Sequence, residues 1–271
     1  PETGALIVVL FGMCVFFTVQ SEYFLTGQNI TNILVSASVI GIVAAPATLL
    51  LVSANFDLSV ASGAALIGVV MAWGAAEYGI PQAILLCIVT GILIGVVNGF
   101  SVTVIGINAL ITTLAMLAIL RGLAQVIAGG QTLLLPDFGG IGNARPLFDI
   151  PAPVFIFIGV MIVSSLIMRY TIYGRSMYAI GANPVAARLA GIKTKRAIFM
   201  GFIFSGLAVV LGGLILVSQL GAASPQAATG LELTVVTAVI LGGASLAGGR
   251  GSILGTLLGV MILGVMNNGM T

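Results

Sequence analysis

Histidine is absent from this 271-residue chain, and cysteine occurs only twice, at Cys14 and Cys87, inside apolar runs far apart in sequence. That excludes a Cys/His metal cluster and a Cys-His nucleophile, and the two thiols read as packing or lipid-facing residues rather than disulfide partners. A membrane enzyme would need a convergent acid, base or metal set, and the sequence shows no catalytic and no metal-ligating set. Charge is equally scarce: seven acidic and nine basic residues make up 6% of the chain, against roughly 25% in a soluble domain. So few charges cannot solvate the surface of a globule, whereas lipid requires no solvation of the faces it touches. The net charge of +2 is small and dispersed, which leaves no electrostatic footprint for nucleic acid. A phosphate-cradling Gly-x-x-x-x-Gly-Lys-Ser/Thr loop is also missing, since Gly249-Arg250-Gly251-Ser252 has neither the spacing nor the lysine. The chain opens at Pro1 without a methionine, which fits trimmed ends better than a signal peptide.

What the sequence has is apolar length: 59% of residues are hydrophobic and the mean hydropathy is +1.25. A helix needs about 20 apolar residues to cross a hydrocarbon layer of roughly 30 Å. About nine runs offer this, near 4–20, 30–54, 59–76, 80–105, 107–128, 154–170, 197–219, 231–247 and 252–270. Many are separated by only a few residues, which suits antiparallel neighbours in one bundle. Ala83 to Val89 is uniformly apolar, without the alternation of a barrel strand. The expected fold is therefore all-α, a polytopic transmembrane helical bundle forming a single domain over 1–271.

Six of the nine basic residues, Arg169, Arg175, Arg188, Lys193, Lys195 and Arg196, lie in one connection, at about 170–196, with no acid among them. The positive-inside rule places that connection in the cytoplasm. Counting spans outward puts the amino terminus and the Gly248–Gly251 turn on the same side, and the long 129–153 loop outside. Arg250 agrees with this assignment.

Gly91, Gly95 and Gly99 recur at every fourth position, as do Gly251, Gly255 and Gly259. Each set offers a face without side chains on which backbones approach closely, a main source of helix association in lipid. A sliding surface between two halves is compatible with the same pattern. Between the second and third spans, Ser53 to Ser59 interrupts the apolar pattern. The Asp57 carboxylate must meet water, a cation or backbone amides there. Asn55, Asp57 and Ser59 are also helix-capping types, so capping of the third span and lining of a substrate path both stand. Phe56 belongs to the same stretch. Asn98, Asn108, Thr112 and Thr113 add amides and hydroxyls on the fourth and fifth spans, groups that glue helices together and that a neutral polyol would want. Arg121, about 10 Å from the outer end of its span, is long enough to snorkel outward.

The most informative stretch is Gly181 to Gly191. Asn183 suits a helix N-cap, Pro184 the first helical position and Gly191 the left-handed residue past the end. The enclosed helix has about two turns, well under the 12–15 residues at which an isolated helix is even marginally stable, so it must dock. Val185, Ala186, Leu189 and Ala190 give it a small apolar face, flanked by Arg188. It docks either on the chain's own helices or in a groove of another protein.

Asn183 to Gly191, through Ala186, Ala187 and Gly191, resembles the Glu-Ala-Ala-x-x-x-Gly coupling loop of ABC importer permeases, with Val185 in place of the usual glutamate. Phe56-Asp57-Leu58-Ser59-Val60-Ala61-Ser62, Ile107-Asn108-Ala109-Leu110-Ile111-Thr112-Thr113-Leu114-Ala115, Ala179-Ile180-Gly181-Ala182-Asn183 and Leu241-Gly242-Gly243-Ala244-Ser245-Leu246-Ala247-Gly248-Gly249 extend the likeness. Together they are similar to the ribose/arabinose/xylose-type monosaccharide permeases over nearly the whole length, the arabinose type being nearest. The resemblance implies a permease subunit of the bacterial inner membrane, moving a pentose or hexose inward by alternating access. It implies a second permease subunit in a dimer, a cytoplasmic tandem-cassette ATPase that carries ATP and Mg, and a periplasmic sugar-binding protein. No cofactor is expected on this chain. Family members continue past the position of Thr271 with a further hydrophobic helix, bringing the expected number of spans to about ten. The rival reading is an ion-gradient-driven secondary transporter of a small polar solute. Such proteins keep carboxylates or unwound helices near the midplane, and this chain offers Asp57 and Glu232 near helix ends.

Overall fold

The computed structural model describes residues 2–147 and 149–270, Glu2 by its backbone alone. Pro1 and Thr271, where trimmed ends and a further helix were expected, lie outside the described residues. All nine apolar runs become helices. In chain order these are α1 (Glu2–Gln20), α2 (Gly27–Val52), α3 (Val60–Tyr78), α4 (Ile80–Phe100), α5 (Ala109–Ala128), α7 (Ala152–Tyr170), α10 (Thr194–Leu220), α11 (Leu231–Leu241) and α12 (Ile253–Gly269). The short helices α6 (Gly140–Asn143), α8 (Ile172–Ala182) and α9 (Pro184–Leu189) lie in the connections. A π-helical turn, Ser101–Ile105, extends α4.

Among the described residues, seven of the helices are long and apolar enough to cross a membrane. The expectation of nine full spans is corrected at the carboxyl-terminal end. α11 has 11 residues, about 16 Å at 1.5 Å per residue and too short to cross alone. The apolar run continues to residue 247, but Gly243, at φ 88°, turns the chain out of the helix. α12 has 17 residues, close to a crossing length.

Most of α2, α3 and α10 is buried, and these three helices carry the core, with Ile42, Leu49, Ile67, Met71 and Ile215 among the fully enclosed side chains. α1 stands at the periphery against α12, where Phe17 packs over Gly269. Cys87 is buried and Cys14 half-buried, and neither forms a disulfide.

The bundle has two distinct ends. At one, the Val52 carbonyl accepts the Gly249 N–H at 2.8 Å, and the basic connection with α8 and α9 gathers; we term this the basic end. At the other, Leu133–Leu134 (β1) pairs antiparallel with Ala222–Ala223 (β2), and the Leu135 N–H reaches the Gly221 carbonyl at 2.8 Å. The 129–153 loop and the basic connection thus lie at opposite ends, in the parity the sequence implies.

The glycine stripes are packing surfaces. A Cβ on Gly95 would stand 2.6 Å from the Phe202 carbonyl oxygen, and one on Gly91 2.7 Å from that of Gly206. A Cβ on Gly99 would strike the Phe199 ring at 2.8 Å. The three therefore seat α4 directly on α10. Gly255 and Gly259 do the same for α12 against Ala238 of α11 and Gly242, the C-cap that follows it. Gly251 is a correction: it precedes the N-cap Ser252 and is not helical, lying in the turn at φ 150° with the Val52 side chain 2.9 Å from its would-be Cβ. Thr48 and Thr256 share a buried hydrogen bond of 2.7 Å between α2 and α12.

Candidate functional site

Two groups of residues from the sequence reading are assembled by the fold: a polar knot beside the α2–α3 connection, and the short helix α9 at the basic end.

In the knot, one oxygen of the Asp57 carboxylate accepts from the Ser59 hydroxyl at 2.6 Å and from the Ser59 N–H at 3.1 Å. The other accepts from the Ser205 hydroxyl of α10 at 2.6 Å. Asn98 of α4 donates to the Ser59 hydroxyl oxygen at 2.9 Å. The carboxylate therefore ties the N-cap of α3 to α10, Asn98 brings in α4 through the Ser59 hydroxyl, and Asp57, Ser59, Asn98 and Ser205 are all buried. This answers the demand that a buried charge be hydrogen-bonded. Asn98 Oδ1 and Thr112 Oγ1 are left without a hydrogen-bond partner. Asn55 folds back on Ser53 through bonds of 2.9 and 3.1 Å, and Phe56 packs partly against the core. Thr113 bonds back to the Ala109 carbonyl at 2.9 Å. Asn108 stands apart and exposed, capping α5 through the Leu110 N–H at 2.9 Å. As for capping of α3, Ser59 occupies the N-cap without a side-chain cap bond, and Asp57 satisfies the Ser59 N–H instead.

Sequence reasoning missed Ser205, which lies 148 residues from Asp57. Its one signal is a lone hydroxyl between Gly201 and Gly206 in the apolar middle of α10. Removing the Asp57 carboxylate strands three buried donors at about 1–3 kcal/mol each. Asp57→Ala is therefore expected to lower the melting temperature of the purified protein in detergent sharply. Asp57→Asn, which keeps an acceptor oxygen, should lower it less.

Arg121 reaches toward the outer end of its span, where its guanidinium donates to the carbonyls of Pro225 and Ala227 at 2.6 and 2.9 Å, pinning the segment before α11.

The short helix forms as its signals direct. The Asn183 side chain accepts from the Val185 and Ala186 N–H groups, both at 3.0 Å, Pro184 occupies the first turn, and Gly191 adopts φ 83°. Ala187 is its one buried residue, anchoring α9 inward. Val185, Ala186, Arg188 and Ala190 are exposed, and Leu189 is 86% exposed. The apolar face is thus not spent on the chain's own helices.

Behind α9, α8 is tied into the bundle. A Cβ on Gly181 would overlap the Val52 carbonyl and the Gly249 N–H. Tyr178 donates to the Gly251 carbonyl at 2.6 Å and Tyr173 to the Ala197 carbonyl at 3.1 Å. Burial pushes both phenols above their ordinary range, so both remain protonated donors at neutral pH. The α8–α9 arm therefore abuts the ends of α2, α10 and α12 together.

With seven helices long and apolar enough to cross a membrane among the described residues, the chain has the architecture of a multi-pass membrane protein. The comparisons make the assignment specific. The family described as "Branched-chain amino acid transport system / permease component" matches residues 29–271, and the chain belongs to it. It is similar to the ribose import permease protein RbsC of Escherichia coli, at 38% identity over 99% of this chain and 85% of the relative. The L-arabinose transport system permease protein AraH of Escherichia coli is likewise 38% identical, over 99% of this chain and 82% of that protein. The autoinducer 2 import system permease protein LsrC of Photorhabdus luminescens is 33% identical, over 99% and 82%. No solved structure was found to match the chain. The protein is a permease of the ABC transporter class, an integral component of the cytoplasmic membrane.

Proposed function

We propose that this chain is the membrane subunit of an ATP-driven importer that moves a monosaccharide of the pentose or hexose class into the cytoplasm. The observation that carries the reading is the 38% identity to ribose and arabinose permeases over 99% of the chain. The exposed Val185 and Leu189 of α9 support it independently, as apolar side chains that the chain's own helices leave uncovered.

In this reading the basic end is cytoplasmic by the positive-inside rule. A tandem-cassette ATPase, carrying ATP and Mg, receives α9 in a cleft through Val185 and Leu189. A periplasmic sugar-binding protein delivers cargo to the opposite end, and two copies of the permease enclose the path. ATP-driven closure of the cassettes moves α9. Its rigid attachment through Gly181, Tyr178 and Val52 transfers the displacement to α2 and α12, switching the bundle between outward- and inward-open states. The Asp57 knot acts in this scheme as a brace between α3, α4 and α10, and the unpartnered Asn98 and Thr112 oxygens are its candidate polar contacts for passing hydroxyls.

Co-reconstitution of the permease with its ATPase and binding protein in liposomes tests the proposal. Uptake of radiolabelled ribose or arabinose should require ATP inside the vesicles and survive a proton ionophore. Uptake by the permease alone that collapses with the ionophore would establish the secondary-transporter reading instead.

A further inference from the structure

The surface of α10 carries an amphipathic cleft that the transport scheme does not use. On the membrane side, α2, α7 and α10 enclose an apolar groove of about 390 Å³, walled by residues that include Leu49, Gly159, Val163, Phe204 and Leu211. At the basic end a second hollow of about 430 Å³ lies between α8 and the start of α10 and includes Ser176, Lys193 and Arg196. The two lie end to end along one face of α10, on which Arg196 and Met200 of the hollow and Phe204, Leu207 and Leu211 of the groove recur at spacings of three and four. Phe204 of the groove and Tyr173 of the hollow meet edge to face at 5.6 Å where the two adjoin. From Arg196 to Leu211 the stripe is about 22 Å long, the depth of one leaflet with its headgroup layer.

The charge at its mouth is one-signed and unspent. Lys193 and Arg196 also border a third hollow of about 290 Å³ shared with Arg188 and Lys195. Among the described residues the single ion pair is Arg145 with Asp149, at the opposite end. The chain from Ile150 to Leu231 contains no acid. An apolar slot one leaflet deep, opening on unpaired cations at the interface, is complementary to one ligand class, since basic hollows between transmembrane helices hold anionic headgroups. A second copy of this chain would bring its own unpaired cations to the same place in a two-fold contact.

We propose that this cleft binds an anionic phospholipid of the leaflet at the basic end, an acyl chain lying along Phe204 and Leu211 and the phosphate between Lys193 and Arg196. The site lies beside Gly191, so its occupancy bears on the stiffness of the α9 arm.

The test is native mass spectrometry of the delipidated permease in detergent, titrated separately with phosphatidylglycerol and phosphatidylcholine. Phosphatidylglycerol should be retained in preference. Lys193→Gln and Arg196→Gln, both at exposed side chains, should each weaken its retention about fivefold and leave phosphatidylcholine unchanged. Gly159→Leu should also weaken phosphatidylglycerol, without loss of thermal stability, because a Cβ there meets nothing of the protein within 4 Å. Equal retention of the two lipids, or retention indifferent to Arg196→Gln, overturns the proposal. So does displacement of the adduct by inorganic phosphate, which assigns the cations to a free anion. A Gly159→Leu variant that dissociates a dimer while keeping its lipid assigns the groove to a second copy.

Discussion

Leu189→Asp is expected to abolish ATP-driven uptake while leaving the permease folded. Leu189 is 86% exposed and Val185 63% exposed, so neither side chain contributes to the core, and a surface substitution of this kind shifts stability by only about 0.5 kcal/mol. If α9 seats in an ATPase cleft, burial of the exposed leucine at its tip contributes about 1.5–3 kcal/mol of binding, roughly 10- to 150-fold in affinity. A carboxylate in its place adds a desolvation penalty. The check is paired: uptake and ATPase stimulation fall to background, while the melting temperature and detergent elution of the isolated permease match those of the parent. Ala187→Glu is the wrong variant for this purpose, because Ala187 is buried and a charge there damages the arm itself. Loss of uptake accompanied by a lowered melting temperature in Leu189→Asp would mean that the exposed leucine serves the fold rather than a partner.

The second large effect is structural. Gly206→Leu should prevent assembly of the bundle. A Cβ on Gly206 would collide with the Gly91 carbonyl oxygen, and one on Gly91 would stand 2.7 Å from the Gly206 carbonyl oxygen. The two helices meet backbone to backbone at this point, so no side chain is available to rotate away. Overpacking in a core that adjusts costs about 1–3 kcal/mol; here α4 and α10 must separate along their shared face, and the cost exceeds that range. Gly122→Leu on α5 serves as the control, because a Cβ there meets nothing within 4 Å. The control should express and elute as the parent does, and Gly206→Leu should aggregate or be degraded. Equal yields from the two would show that the α4–α10 seam is looser than its geometry implies.

The parts of this structure that were legible in the sequence are those encoded locally. Asn183, Pro184 and Gly191 write the start and stop of α9 within nine residues, and the structure forms the helix between them. Gly91, Gly95 and Gly99 declare a side-chain-free face because one helix repeats it. The positions of the apolar runs and the parity of their ends follow from counting. What sequence alone withheld is pairing. Nothing near Asp57 indicates that Ser205 completes its shell, and nothing in the α4 glycines indicates that Gly206 is their counterpart, since each partner is chosen by tertiary packing more than 100 residues away. Apolarity also misreported length: the run through 231–247 stays hydrophobic across Gly242 and Gly243, so composition shows no stop where the backbone leaves the helix. Gly251 has the spacing of a helical stripe yet lies before the cap, because periodicity cannot distinguish the last residue of a turn from the first of a helix.

The claim on which the account turns is that α9 lies in the cytoplasm against the ATPase. It is most directly tested by cross-linking from Leu189→Cys in a chain carrying Cys14→Ala and Cys87→Ala, with ATPase co-expressed. In inverted membrane vesicles a short bifunctional thiol reagent should join the two polypeptides with a yield that changes on adding ATP, and in vesicles made without the ATPase an impermeant maleimide should label Leu189→Cys only in that orientation. Labelling from the periplasmic face of right-side-out vesicles, or full assembly with the ATPase and no cross-link in either nucleotide state, would contradict the account.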